Sequence, residues 1–319
     1  MTTTEFKVSI CLPTCDRPEL VVHCIESCLA QTHQNFEILI GDDSKDGRTQ
    51  QRIDARYGDD ARIRYLRNEP PLGQARNVAS LIGRAAGDKI LLIHDDDYLA
   101  DTGVERLLSL WTLHPDLDVA FGDQYEVDHD GRVDRAASEQ LNAGFHRTKM
   151  AEGLQELPGR AGLIQMFPNN GWLANADLVK RIGYSDQHGA CCDYVFGTEL
   201  CLAARKVYYV NDYVSYYRKT AVSVSRSTRG STQSASVSAF AFACRVALDP
   251  RLEPARRVAL RRLVPIVVSA YTKNGDPWKG AQIVREHLFA YNYGLSLRLY
   301  YHLLLISRSM LAMPRQVVS

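Results

Sequence analysis

Short apolar runs alternate with amphipathic segments over the first hundred residues. "FKVSICLP" (6–13), "NFEILIGDD" (35–43), "IRYLRN" (63–68) and "KILLIHDDD" (89–97) are rich in Val, Ile and Leu. Such runs, bounded by polar or turn residues, predict four strands. Between them lie three helical patterns. In "PELVVHCIESCLAQT" (18–32), Leu20, Cys24 and Cys28 recur at helical spacing, and Pro18 suits the first turn. "RTQQRIDARYG" (48–58) and "LGQARNVASLIGRAAG" (72–87) follow, the latter ended by Gly87. Near-continuous apolar strands alternating with helices predict an α/β fold. Its central sheet is mostly parallel and flanked by helices on both faces.

Beyond residue 100 the alternation weakens. A helix is predicted over 104–115 and a strand over 119–128. The polar stretch 131–153 reads as a mobile excursion. A helix, a turn and another helix are expected within 160–183, and a helix behind an acidic start over 189–206. The tyrosine-rich stretch 207–219 reads as a strand pair. The Ser/Thr-rich segment 223–238 reads as a linker, and the remainder, 239–319, as a helical region.

Composition narrows the class. The formal net charge of +1 supplies no global field for nucleic acid, so no nucleic-acid partner is expected. The start "MTTTEFKVSI" lacks a basic n-region and an apolar h-region, and no apolar run reaches 18 residues. Eight cysteines contain no CxxC pair, which favours reduced thiols and a cytoplasmic location.

In parallel sheets, ligands bind outside the carboxyl ends of the strands. Those ends here read "PTCDRP", "GDDSKDG", "RNEPPLG" and "HDDDYL". The aspartates therefore belong to one polar rim, at exposed strand ends, rather than to the core. A hard divalent cation, Mg²⁺ or Mn²⁺, takes oxygen ligands of this kind together with substrate phosphates. A solvated acidic turn is the alternative. Neither GxGxxG after the first strand nor a Walker A loop is present.

"VSICLPTCDRPELVVHCIESCLAQTHQNFEILIGDDSKDG", "NEPPLGQARNVASLIGRAAGDKILLIHDDD" and the later "YVNDYVSYYR" resemble, in order, the motifs of family 2 glycosyltransferases over about residues 6–220. The resemblance implies a GT-A fold with a helical C-terminal extension. It implies a metal-assisted, inverting transfer from a nucleotide-diphosphate sugar, UDP- or dTDP-linked by preference. The acceptor would be a hydroxyl of a glycan or lipid-linked saccharide, as in bacterial surface-polysaccharide assembly. The implied domain spans 1–222, with a donor half over about 1–100 and an acceptor half over about 101–222. The alternatives are a non-catalytic sugar-nucleotide-binding module and a sugar nucleotidyltransferase.

The same resemblance assigns residues. Pro13 and Thr14, with Asp16 and Arg17, would contact the nucleotide. Asp42 and Asp43 would read the base, Asp43 by accepting the ring N–H of uracil or thymine; a turn cap is the alternative for Asp42. Arg76 would sit near the aspartates and the diphosphate, or form a structural Arg–Asp pair. In the family's Asp-x-Asp-Asp signature, His94 occupies the first position. Asp95 falls near the ribose or metal shell, Asp96 takes the metal, and Asp97 either joins it or caps the next turn. Asp193 is the expected base, with Glu199 and Asp186 as fallbacks and a helix N-cap as the structural alternative. Asn169, Asn170 and Trp172 would face the acceptor, with a core role open for Trp172. Arg218 would reach the diphosphate.

The tail "REHLFAYNYGLSLRLYYHLLLISRSMLAMPRQ" mixes Leu and Tyr with Arg298, Arg308 and Arg315. This pattern suits peripheral contact with the inner face of the cytoplasmic membrane, or packing on the catalytic domain or a dimer partner. The oligomeric state stays open.

Overall fold

The structure, a computed structural model, describes residues 6–219, 230–292 and 296–312. These group into two compact units, one within 1–187 and 192–221, the other within 188–191 and 222–319.

The first unit begins with β1 (Val8–Thr14), α1 (Pro18–Leu29), β2 (Phe36–Asp42), α2 (Arg48–Tyr57), β3 (Ile63–Arg67), α3 (Gln74–Arg84) and β4 (Lys89–Leu92). There follow β5 (Tyr98–Leu99), α4 (Gly103–Leu113), β6 (Val119–Val127), β7 (Val133–Asp134), α5 (Arg135–Gly144), β8 (Gly153–Leu154) and α6 (Pro158–Leu163). The unit closes with β9 (Trp172–Asn175), α7 (Ala176–Ile182), α8 (Cys192–Ala203) and β10 (Val207–Arg218). All strands share one sheet in the order β3-β2-β1-β4-β9-β6-β10-β5, with β7 on β6 and β8 on β10. β3, β2, β1 and β4 run parallel, as the apolar runs predict. β9 is antiparallel to both β4 and β6, and β6 and β10 are again parallel.

Every residue of β1 and β2 is buried, which explains their lack of alternation. Ile10, Leu12, Ile38 and Ile40 pack with Val21 and Ile25 of α1 and Leu107 and Trp111 of α4. Gly41, on the opposite pleat, faces Asn77 of α3.

Three readings of the chain need correction. The stretch 131–153 is not a structureless excursion; it holds α5, whose Asp134 side chain caps the Ala137 N–H at 2.9 Å. Its polar residues are spent on the edge of β6. Asn142 bonds both the N–H and the C=O of Gln124, and Ser138 accepts the Glu126 N–H. Residues 172–175 form the strand β9 rather than a turn, and Trp172 is fully buried in the core. Residues 207–218 form one strand, bent by register shifts between Val210 and Ser215, rather than a strand pair.

The second unit contains α9 (Ala235–Arg245), α10 (Glu253–Lys273), α11 (Pro277–Glu286) and α12 (Leu297–Ala312). Val264, Val267, Val268, Ile283, Leu299 and Ile306 form its core. Of the expected linker 223–238, residues 223–229 lie outside the described residues. Residues 235–238 already form the first turn of α9, with Val237 buried. No described helix is long and apolar enough to cross a membrane.

Candidate active site

The carboxyl ends of β1, β2 and β4 lie side by side, and a polar cluster forms there. β4 stops at Leu92 rather than at residue 97. Ile93 still bonds Cys11 O, but the chain then turns, with Asp97 N–H on His94 O at 3.1 Å. Asp95, Asp96 and Asp97 thus occupy a tight turn.

They do not lie at an open, solvated rim, as expected from the sequence. Asp95 is 5% exposed and Asp97 is 3% exposed. The chain itself supplies their partners. Thr14 donates to Asp95 Oδ2 at 2.8 Å. Arg17, just before α1, places Nη1 2.9 Å from Asp95 Oδ1 and 3.0 Å from Asp96 Oδ2. Asp97 Oδ1 accepts the Arg218 N–H at 2.8 Å, and Oδ2 accepts from Asn170 at 2.8 Å. Burial raises the Asp95 pKa despite Arg17. Burial, and then the Asp96 charge, push Asp97 up to about 7.

The loop after β1 is pinned to the loop after β2. Asp16, in the left-handed region at φ 53°, donates its N–H to Ser44 Oγ and accepts the Lys45 N–H. Pro13 pairs in register with Gly41. Asp42 is fully buried and spent on structure: Oδ1 accepts the Ser44 N–H and Oδ2 the Tyr65 hydroxyl. Of its two sequence readings, these contacts match the turn cap. Asp43 accepts from Asn68 at 2.9 Å and from the Leu72 N–H at 3.0 Å, both on Oδ1.

Arg76 does not bond the aspartate turn. It is exposed and pairs with Asp186 at 2.5 Å, since its place on α3 turns it toward the loop after α7. The pair also engages Asp186, the weaker fallback base.

Asp193 lies in the first turn of α8, one residue inside its start, so it is not the N-cap. Its Oδ1 accepts the Tyr184 hydroxyl. His94 Nε2 stands 3.9 Å from the same oxygen. His94 Nδ1 meets the Asn170 amide at 3.2 Å. A hydrogen-bonded chain therefore joins Asp97, Asn170 and His94; it stops 3.9 Å short of Asp193, which Tyr184 holds. Asn170 serves this chain, and Tyr184 has no motif that could have marked it. Arg218 folds over the turn: Nε donates to Asp96 O, and its Nη atoms reach His129 O and His23 Nδ1.

A family assignment can be set beside this geometry. The sequence model of "Glycosyl transferase family 2" matches residues 9–170, which contain the β1 loop, both acid clusters and Asn170. The chain belongs to glycosyl transferase family 2. A "Glycosyltransferase GlyG" of Streptococcus pneumoniae is 27% identical over 225 residues, 69% of this chain and 73% of that protein. A crystal structure of S. aureus TarS 1-349 in complex with UDP-GlcNAc superposes with TM-score 0.65 at 17% identity, over 95% of this chain and 89% of that one. Mannosyltransferase PcManGT from Pyrobaculum calidifontis, in complex with GDP-Man and Mn2+, superposes with TM-score 0.59 at 15% identity, over 97% and 81%. At these identities the two structures establish the fold, which is the GT-A type expected. The family 2 chain is thus a glycosyltransferase.

Proposed function

We propose that this glycosyltransferase moves a sugar, with inversion, from a nucleotide-diphosphate sugar to a hydroxyl of a glycan or lipid-linked acceptor. One observation carries the reading. A carboxylate cluster suited to a cation and a second carboxylate, Asp193, stand in one site, with His94 Nε2 3.9 Å from Asp193 Oδ1. A single displacement needs both: charge neutralisation at the leaving diphosphate and a base at the acceptor.

Thr14, Arg17 and Asp43 face the nucleotide side, with Pro13 and Asp16 shaping the loop. Asp43 takes the ring N–H of a uracil or thymine, and Asp42 keeps the loop in place. Asp95 supports Arg17 and stands near the ribose. Asp96 and Asp97 hold a divalent cation, Mn²⁺ or Mg²⁺. The residues fit such an ion: Asp96 and Asp97 each offer a carboxylate oxygen, and these lie within 4.8 Å of one another. Two crowded carboxyls, one pushed up to about 7, gain from a neutralising charge. When bound, the cation supplies Lewis-acid stabilisation of the leaving diphosphate.

Asp193 accepts the proton of the acceptor hydroxyl. The acceptor oxygen bonds the anomeric carbon as its bond to the diphosphate oxygen breaks, and that electron pair leaves with the diphosphate. TarS bound to UDP-GlcNAc and PcManGT bound to GDP-Man and Mn2+ support the donor class.

The test is a thermal-shift screen against nucleoside diphosphates and sugar nucleotides, with and without Mn²⁺. A metal-dependent shift with one nucleotide, lost in Asp96→Asn, is expected. Asp193→Asn should keep the shift and lose transfer by roughly 10²- to 10⁴-fold. Wild-type protein that binds the sugar nucleotide yet transfers nothing to any acceptor would favour the non-catalytic module.

A second contact is proposed for the helical unit. The outward face of α12 carries Leu297, Tyr300, Tyr301, Leu304 and Leu311, all exposed, beside Arg298 and Arg308. No acidic residue follows Glu286 in the sequence. Such a face suits the interface of an anionic bilayer, where a lipid-linked acceptor would reside.

A further inference from the structure

His94 stands where the family signature begins with an acid, and its surroundings fix what it does instead. The Asn170 amide nitrogen lies 2.8 Å from Asp97 Oδ2 and 3.2 Å from His94 Nδ1. An ionised Asp97 only accepts, so the atom facing it is then the amide NH₂. Its second hydrogen falls to His94 Nδ1, which is therefore an acceptor. The proton of the neutral imidazole then sits on Nε2.

That Nε2–H is buried and meets no hydrogen-bond partner among the described residues. Asp193 Oδ1 faces it at 3.9 Å. A buried donor left unmade is costly, and catalytic hydrogen bonds commonly tighten only when substrate is bound. The Tyr184 hydroxyl already donates to this same Oδ1. Both neighbours thus converge on one oxygen of Asp193, which leaves Oδ2 to the acceptor. An aspartate at position 94 would instead set two carboxylates against each other.

We infer that His94 is a positioning residue for the base. Its Nε2–H closes on Asp193 Oδ1 and, with Tyr184, fixes the carboxylate so that Oδ2 receives the acceptor proton. Asn170 orients the imidazole and ties it to Asp97 on the donor side. The inference rests on Asp193 being the base, as proposed above.

Two measurements test it. In ¹⁵N-histidine spectra of the full chain without metal, taken at about pH 8 so that Asp97 is ionised, His94 should appear as the Nε2–H tautomer, and Asn170→Ala should release that preference. A His94 ring protonated on Nδ1 in the wild type would overturn the inference. The second measurement is steady-state transfer from the sugar nucleotide that the thermal-shift screen selects. His94→Gln places an amide N–H near the Nε2 position, whereas His94→Asn reaches only as far as Nδ1. Glutamine should keep kcat within about 5-fold of wild type. Asparagine and alanine should lower kcat roughly 10- to 100-fold, the size expected when a reacting group is misaligned. The donor KM and the affinity for UDP with Mn²⁺, read by calorimetry, should stay within about 2-fold. If glutamine and asparagine fall alike, or if the loss appears in donor KM, position 94 serves the donor and the inference fails while the base assignment stands. If Asp193→Asn transfers at the wild-type rate, the base assignment has failed and His94 falls with it.

Discussion

Arg17 Nη1 lies 3.0 Å from Asp96 Oδ2, and the same nitrogen reaches Asp95 Oδ1 at 2.9 Å. One guanidinium thus pairs with two adjacent acids, one of them almost fully buried. Breaking a buried pair from one side leaves a stranded charge, which typically costs about 3–5 kcal/mol. Arg17 is itself 31% exposed, so screening reduces that figure. Arg17→Gln should lower stability by about 2–3 kcal/mol at pH 7, read by urea denaturation. Because Arg17 shares Asp96 with any cation, the variant should also bind Mn²⁺ more tightly than wild type when no nucleotide is present.

Asp97 carries a second consequence. Its folded pKa, pushed up to about 7, stands well above the ordinary aspartate value of about 3.9. The folded state therefore holds this proton more tightly than the unfolded chain. Stability from this group is fully present below about pH 4 and is lost as pH rises toward 7. In metal-free buffer, wild-type stability minus that of Asp97→Asn should fall between pH 4 and pH 7 by several kcal/mol, and then level off. A flat difference across that window would mean that Asp97 is ionised throughout.

The parallel half of the sheet was legible because β1, β2 and β4 are buried throughout and mostly apolar. The aspartate turn was legible as chemistry but not as environment. Residue order puts three acids behind a strand; it does not show that Thr14, Arg17, Asn170 and Arg218 converge on them from three separate segments. For Arg76 the contacts match the second of its two readings, a structural Arg–Asp pair, but the partner, Asp186, is 110 residues away and could not be named from the sequence. Helix α5 was missed because its polar residues look like loop composition, while Ser138 and Asn142 are in fact buried against β6.

Gly41 shows how tightly the carboxyl end of β2 is built. A Cβ there would stand 2.0 Å from Asn77 Oδ1. Asn77 donates to Gly41 O and accepts from Asn68, and Asn68 in turn donates to Asp43. Gly41→Ala should therefore cost about 1–3 kcal/mol through overpacking. It should also weaken nucleotide binding, since Asp43 loses its support. Gly83→Ala on α3 is the control. Nothing lies within 4 Å of a Cβ there, so it should be neutral or stabilise by up to about 1 kcal/mol.

The face of α12 yields the last prediction. Leu299, His302 and Ile306 turn inward, so the helix is already anchored by its other side. Leu297 is 85% exposed and Leu304 60%, and both can change without touching that core. Burying one leucine at an interface contributes about 1.5–3 kcal/mol, and each basic residue near an anionic surface about 1 kcal/mol. The protein should co-sediment with phosphatidylglycerol vesicles and much less with phosphatidylcholine vesicles. The binding should weaken as salt rises. Leu297→Glu with Leu304→Glu should reduce it at least 10-fold while the thermal midpoint stays put. If vesicles fail to bind and the double variant instead lowers the sedimenting mass, this face joins two copies of the chain, because apolar side chains this exposed would then be covered by protein rather than lipid.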